Sequence, residues 1–136
     1  MNDSKFTLSA AAVVMFPATL NGAMGAHALQ PMLLQSGREG TWETAVLYQL
    51  VHGIALLVAG VWLHTAENAK RPPALFLAAM FWLGGIVLFS GSLYILSLGG
   101  PTWVGPITPV GGVCFLSGWL VLAIGVLRMK SRLDTR

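Results

Sequence analysis

Long apolar runs separated by three short polar segments organise this chain. No Asp, Glu, Lys or Arg occurs within residues 6–37, 44–66 or 72–127. Uncharged runs longer than about 18 residues are candidates for helices that cross a bilayer. We therefore expect four membrane spans, at about residues 6–29, 44–63, 74–98 and 104–127.

The predicted fold is an all-α membrane protein, a four-transmembrane-helix bundle formed as a single domain over residues 1–136. Each span must be a helix, because hydrocarbon offers no partner for the backbone N–H and C=O groups. The composition agrees, since 55% of the residues are hydrophobic and only 10% are charged. A chain of 136 residues has room for one domain.

The first span has a second interpretation, a cleaved secretory signal, because Ala26-His27-Ala28 has the A-x-A form of a cleavage site. Asp3 in the leading segment, the length of the apolar run and Pro17 inside it all favour a retained span. A proline at this position removes one helical hydrogen bond, so we expect a kink.

Basic residues predict the orientation, because cytoplasmic loops retain Lys and Arg. With four spans, only Arg38 falls on the outer side. The other basic residues share the cytoplasmic side with both termini: Lys5, Lys70, Arg71, Arg128, Lys130, Arg132 and Arg136. The net charge of +3 reflects this asymmetry. It does not indicate nucleic-acid binding, since no basic groove with interleaved aromatic residues is present.

Polar side chains within the spans concentrate in the predicted outer half of the bilayer. At a helical rise of about 1.5 Å per residue, Asn21, His52 and Ser90 lie eight residues, or about 12 Å, from the outer ends of their spans. We expect these three to share a polar layer. Nearer the surface are the other candidates for a polar network or ligand site: His27, Tyr48, Gln49, Ser92, Tyr94 and Thr108.

Small residues recur at helical spacing in every span. Ala18, Gly22 and Ala26 follow one another at intervals of four in the first span. Small residues allow helix backbones to approach closely in lipid, where packing replaces the hydrophobic driving force. We expect these glycines at helix interfaces: Gly22, Gly25, Gly53, Gly60, Gly91, Gly111, Gly118 and Gly125.

Four segments resemble the signature segments of a bacterial inner-membrane family catalogued as the domain of unknown function four-two-three. They are "GAMGAHAL" (22–29), "TAVLYQLVHGIALL" (44–57), "LFSGSLYILSL" (88–98) and "GPITPVGGVCFLSGWLVLA" (105–123). Met24 and Ala28 depart mildly from the usual first motif, which is closer to GAFGAHGL. The resemblance implies a four-span protein of the bacterial inner membrane with no assigned biochemical role, and it supplies no catalytic residues.

The polar layer supports two hypotheses. In the first, its side chains bond to one another and fix the register of the bundle, as polar residues often do between membrane helices. In the second, Asn21, Gln49, His52, Ser90 and Tyr94 line an outward-facing pocket for a lipid-like or small polar ligand. The first hypothesis predicts an accessory or interaction protein without enzymatic chemistry of its own, whose partners are membrane lipid and either another membrane protein or further copies of this chain.

Other chemistries have little support in the sequence. Three scattered histidines without H-x-x-x-H or C-x-x-C spacing predict no metal site and no cofactor. Cys114 is the single cysteine and is expected to act as a small hydrophobe. Glu43 could reach His27, although a Glu in the first turn of a helix also favours the positive end of its dipole.

The prolines at the start of the fourth span and the segment after the first span indicate local structure. Pro106 and Pro109 predict either an irregular entry of the fourth span that lines a cavity, or an ordinary helix with Pro106 near its first turn. The segment "QPMLLQ" (30–35) is expected as an interfacial turn that partly covers the polar layer.

Overall fold

The structure is a computed structural model that describes residues 2–66 and 74–129. Four helical segments of this part of the chain are long and apolar enough to cross a membrane: Asp3–Ala26, Glu39–Thr65, Leu75–Ser97 and Thr102–Leu127. The prediction of an all-α protein with four transmembrane helices is thereby confirmed.

The helices follow one another with short connections. In chain order they are α1 (Asp3–Ala26), α2 (Gln30–Ser36), α3 (Glu39–Thr65), α4 (Leu75–Gly85), a π-helical segment (Ile86–Ser90), α5 (Gly91–Ser97), a 3-10 turn (Thr102–Val104) and α6 (Ile107–Leu127). Segments α4, π and α5 together form the third span. We refer to the end of the bundle that carries α2 as the α2 end.

The helix boundaries at the α2 end differ from the apolar runs. Helix α1 continues through Pro17 but ends at Ala26, because His27 leaves the helical conformation with φ −129° and ψ −81°. Gly37, in the left-handed conformation with φ 66°, ends α2 and lets α3 begin at Glu39. As a result α1 ends earlier, and α3 begins earlier, than the predicted spans.

The fourth span enters through a turn rather than a straight helix. A 3-10 turn at Thr102–Val104 precedes Gly105, and Pro106 takes the N-cap position of α6. This is the proline-initiated arrangement, in which the missing N–H of proline costs no helical hydrogen bond. The segment "QPMLLQ" forms the short helix α2 instead of a simple turn.

Helix α3 and the third span form the centre of the bundle. Helix α1 packs along α3, whereas α6 packs on α4 and the π segment. In the described part of the chain, α1 and α6 have at most a marginal contact with each other, so they form the two outer edges. The buried apolar core comprises Ala11, Val14, Leu56, Ala59, Leu63, Leu75, Ala78, Ala79, Trp82, Ile86 and Phe115.

Glycines occur where helices approach most closely. A Cβ atom on Gly53 would lie 2.6 Å from the Met15 sulfur, and one on Gly60 would lie 2.9 Å from the Leu8 side chain. On α6, a Cβ on Gly111 would collide with the backbone nitrogen of Phe89. Because backbone atoms cannot move aside as side chains do, Gly111 is the most restrictive of these positions.

The other predicted packing glycines have more varied surroundings. A Cβ on Gly118 would lie 2.5 Å from the Trp82 indole, and one on Gly25 would collide with the Trp42 indole. Gly22 would make an ordinary 3.5 Å contact with Val46. Gly125 is buried. Gly91 has open space beside it within the described part of the chain, so no neighbour there requires a glycine.

The basic residues are only partly covered by the structure. Lys5 and Arg128 lie at the end opposite α2, and Arg38 precedes α3 at the α2 end. Five further residues of the orientation argument lie outside the described residues: Lys70, Arg71, Lys130, Arg132 and Arg136.

Replacing Gly111 with alanine tests the close approach of α6 to the π segment. We expect Gly111→Ala to lower the free energy of unfolding in detergent micelles by about 1–3 kcal/mol, the cost of overpacking a core. Gly112→Ala is the matched control, because its nearest neighbour would be Phe89 Cδ2 at 3.9 Å. The control should be neutral or slightly stabilising, since alanine favours helix over glycine. Equal effects of the two substitutions would contradict the packing argument.

Candidate functional site

Gln49 joins three helices through its side-chain amide. Its Nε2 donates to the Val14 carbonyl of α1 at 2.9 Å, and its Oε1 accepts from the Tyr94 hydroxyl of α5 at 2.7 Å. The residue is only 6% exposed. Donor and acceptor sides of the amide are therefore each used in a different helix contact.

Asn21 and Trp42 extend this network towards the α2 end. The Trp42 indole Nε1 donates to the Asn21 carbonyl at 2.9 Å. The Trp42 ring also packs edge-on against Tyr94, with ring centroids 4.7 Å apart. Tyr94 is thus held by two residues of α3, Gln49 and Trp42.

His52 joins α3 to α6. Its Nδ1 lies 2.9 Å from the Tyr48 carbonyl, which can only accept, so Nδ1 carries the hydrogen. The Trp119 indole donates to the other ring nitrogen, Nε2, at 3.2 Å. These two partners together select the neutral tautomer with its hydrogen on Nδ1. The Phe115 ring stacks on the imidazole at 3.6 Å between centroids and 15° between planes.

Aromatic rings surround this histidine. Tyr48 packs on Phe89 with centroids 4.6 Å apart, and Phe89 meets Phe115 edge-on at 5.6 Å. Trp82 and Trp119 are 4.6 Å apart. Such ring pairs contribute about 0.5–1.5 kcal/mol each beyond the area they bury, so they hold α6 against α3 and the third span.

Two serines of the third span differ in their hydrogen bonding. Ser92 and Thr108 share a hydrogen bond of 2.7 Å that links α5 to α6. Ser90, in the π segment, is 1% exposed, and its hydroxyl has no hydrogen-bond partner among the described residues. The same holds for the Trp82 indole N–H. Two buried polar atoms thus lie outside the network.

Asn21 does not share the level of His52. Gln49 meets Val14 and Trp42 meets Asn21, which fixes the antiparallel register of α1 and α3. Gly53 faces Met15 and Val14 of α1, so its neighbour His52 lies near the level of Met15, six residues or about 9 Å deeper than Asn21. The expected common layer fails here because α1 ends at Ala26 and α3 begins at Glu39.

His27 and Tyr48 are the least buried of the predicted residues. His27 lies exposed at the C-cap of α1, where its backbone N–H bonds to the Met24 carbonyl. No ion pair joins it to Glu43 within residues 2–66 and 74–129. Tyr48 is 40% exposed, and its ring contributes stacking to the aromatic group around His52.

A groove between α3 and α6, here called the α6 groove, opens beside His52. Its volume is about 440 Å³, and Tyr48, His52, Phe89, Phe115 and Trp119 are among its lining residues. Trp119 also lines a second cavity of about 250 Å³ between α3, α4 and α6. Asn21, Gln49, Ser90 and Tyr94 do not line the α6 groove, so this groove contains only His52 of the five residues predicted to line a ligand pocket.

Sequence reasoning missed Phe115, Trp119 and the hydrogen bond of Trp42. The sequence did contain a signal for Trp119. Tryptophan is enriched at membrane interfaces, whereas Trp119 lies in the middle of its span. Its N–H would be unsatisfied in hydrocarbon, which predicts a buried acceptor nearby. For Phe115 the sequence offered no comparable signal, since an apolar residue in a span has no required partner.

Metal ligands do not cluster in the described part of the chain. No group of three or more His, Cys, Asp or Glu residues within it could hold a metal ion. Cys114 is half-buried and free.

A double-mutant cycle between Gln49 and Tyr94 tests their hydrogen bond. We expect Gln49→Leu and Tyr94→Phe to be non-additive in the free energy of unfolding, with a coupling of about 0.6 kcal/mol and at most about 1.7, the range for such bonds in membranes. Tyr94→Phe combined with Thr19→Val is the control, because exposed Thr19 bonds only within α1. A Gln49 coupling no larger than that of the control pair would refute the bond.

Comparison with known proteins places the chain in a family. The family described as "Protein of unknown function (DUF423)" matches residues 21–112. The UPF0382 membrane protein of Staphylococcus saprophyticus is similar, with 41% identity over 113 residues that cover 79% of this chain and 85% of that protein. The UPF0382 inner membrane protein YgdD of Escherichia coli K12 is 36% identical over 130 residues, 95% of each chain. No solved structure was found to match. This chain is a membrane protein that belongs to the DUF423 family of proteins of unknown function.

Proposed function

We propose that this protein is a small accessory or interaction protein of the bacterial inner membrane, without enzymatic chemistry of its own. The observation that carries the proposal is that its intramembrane polar groups are largely bonded to one another. Gln49, His52, Ser92 and Tyr94 each have a partner on a neighbouring helix. These bonds then act as a set of cross-links that fixes the bundle.

Cross-linking and ligand binding compete for the same atoms. Both sides of the Gln49 amide and both ring nitrogens of His52 are already bonded within the protein. A ligand would have to displace these bonds, and those that join two membrane helices contribute about 0.6 kcal/mol each. Their occupation therefore favours the structural role over the carrier role.

The outer helices provide the surfaces for interaction. On α6, Val113, Leu116 and Leu120 are 60%, 71% and 62% exposed. In a membrane such apolar faces contact lipid, another membrane protein or a second copy of this chain, and association depends on packing. These are the partners that we propose. The names of the relatives, membrane protein and inner membrane protein, support the location.

The carrier or binder is a second candidate because of the α6 groove. Here His52 and Tyr48 line a cavity of about 440 Å³, within the range of about 300–1,000 Å³ typical of small-molecule sites. A ligand with a hydrogen-bond donor would replace the Trp119 indole at His52 Nε2. Trp119 is 45% exposed, so its ring has room to move aside.

His52→Leu distinguishes the two candidates. The structural role predicts a loss of about 1–3 kcal/mol in the free energy of unfolding, because the Trp119 N–H loses its acceptor. Native mass spectrometry of protein released from lipid nanodiscs should then show the same bound species for wild type and mutant.

The matched control for this experiment is His64→Leu, which changes an exposed histidine of the same helix. It should alter neither stability nor bound species. A discrete small molecule that is present on the wild type and absent from a folded His52→Leu protein would overturn the structural role and establish the binder.

We further propose that both termini face the cytoplasm, as the distribution of basic residues predicts. In a Cys114→Ser background, exposed positions at opposite ends can be replaced as Gln35→Cys and Asn2→Cys. A membrane-impermeant maleimide should label Gln35→Cys in intact spheroplasts and Asn2→Cys only after permeabilisation. The reverse pattern would invert the proposed topology.

A further inference from the structure

A separate groove lies at the α2 end, on the side of α3 that faces away from α6. Helices α1, α2 and α3 enclose a cavity of about 360 Å³, here called the α2 groove. It is separate from the α6 groove, because the two share no lining residue. Of the described residues whose side chains bond across helices, only Trp42 lines the α2 groove.

The "GAMGAHAL" motif creates the floor of this groove. Gly22 presents no side chain, and a Cβ there would approach Val46 to 3.5 Å. Gly25 leaves room for the Trp42 indole, whose N–H is already bonded to the Asn21 carbonyl. Larger residues at these two positions would fill the concavity or push the indole out. The small residues therefore serve both helix packing and the opening of a cavity.

Helix α2 forms the rim. Leu33 is completely buried and anchors this short helix against the bundle. Gly37 then turns the chain directly into α3, which leaves α2 beside the groove. The cavity is thus bounded by three helices and lies near the end of α1 and the start of α3. We expect lipid headgroups at the level where membrane-spanning helices end.

Two carboxylates give the groove its charge. Glu39 and Glu43 both line it and lie one turn apart on the same face of α3. Among residues 2–66 and 74–129 neither forms an ion pair. Glu39, in the first turn, is accounted for by the helix dipole, but Glu43 lies one turn further and the dipole effect falls off within the first turn. Like charges at this spacing repel each other, which a bound cation would relieve.

We infer that the α2 groove binds a phospholipid with a primary amine headgroup, of the phosphatidylethanolamine type. The ammonium group would lie against Glu39 and Glu43, and the upper part of one acyl chain would follow the apolar wall beside Gly22, Trp42 and Val46. The cavity is at the lower end of the range for ligand sites, about 300–1,000 Å³, which suits a headgroup with part of a chain. This inference does not depend on the accessory role.

Other cationic occupants fit less well. Calcium takes six to eight oxygen ligands, and the described residues hold no group of three or more metal-ligating side chains. An anionic lipid would be repelled by the two carboxylates. Only an amphipathic molecule that carries an ammonium group matches both the charge at the mouth and the apolar wall behind it.

Competition between two lipids tests the inference. The full-length protein in detergent micelles is incubated with equal amounts of phosphatidylethanolamine and phosphatidylglycerol carrying identical acyl chains, and native mass spectrometry gives the ratio of the two adducts. We expect the wild type to favour the amine lipid about two- to five-fold, the factor that an exposed ion pair contributes. Glu39→Gln/Glu43→Gln should bring the ratio close to one.

Asp3→Asn is the matched control, because it removes a carboxylate at the opposite end of the bundle. The control should keep the preference of the wild type. Gly22→Leu fills the groove without changing charge and should reduce the amine-lipid adduct, with folding checked by circular dichroism. A wild type without preference, a preference that survives Glu39→Gln/Glu43→Gln, or its loss in Asp3→Asn would each overturn the inference.

Discussion

The need to satisfy polar side chains away from water governs this bundle. Gln49 and His52 of α3 are 6% and 5% exposed, and an unbonded polar group in that position costs several kcal/mol in hydrocarbon. Their partners are Val14 on α1, Tyr94 on α5 and Trp119 on α6. One helix is thereby tied to each of the other three spans, and its rotation about its own axis cannot change without breaking a bond to at least one of them.

Close packing follows from the same constraint. A hydrogen bond holds its donor and acceptor atoms about 3 Å apart, so the reach of the bonding side chains limits the distance between the helices. Gly53 permits this on the α1 side, and Gly111 permits it where α6 meets the π segment at Phe89. A π turn contains more residues than an α turn, so the side chains beyond it are rotated relative to a straight helix. The bond between Ser92 and Thr108 lies just past that point.

The four spans can be predicted from charge-free length alone, because the thickness of the bilayer is fixed. The levels of individual residues are harder to predict, since depth arithmetic takes its origin from the ends of the helices. The arithmetic places Asn21 level with His52. However, α1 ends at Ala26 and α3 begins at Glu39, each earlier in the sequence than predicted. Asn21 is therefore nearer to the end of its helix than expected, and His52 is farther from the end of its own. An apolar run does not show where a helix stops inside it.

The partners of the polar residues are harder still to predict. That Gln49 and His52 need partners follows from burial, but which helices lie beside α3 depends on the lateral arrangement, which no single span encodes. Trp119 reaches His52 because α6 packs on the third span, beside α3. The π segment has no signal in the letters "IVLFS", and it leaves Ser90 buried without a partner among the described residues.

The distribution of unpaired charge separates the interior of the bundle from its rim. Inside, Gln49 and His52 of α3 are bonded to neighbouring helices. A ligand that binds to these groups must first break bonds that stabilise the bundle. At the α2 end, Glu39 and Glu43 line a groove without an ion-pair partner in the described part of the chain. A molecule can bind to these two carboxylates without breaking an ion pair of the fold. Recognition in this protein is therefore expected at its rim, with the buried network serving to keep α1 and α3 in the register that forms the groove.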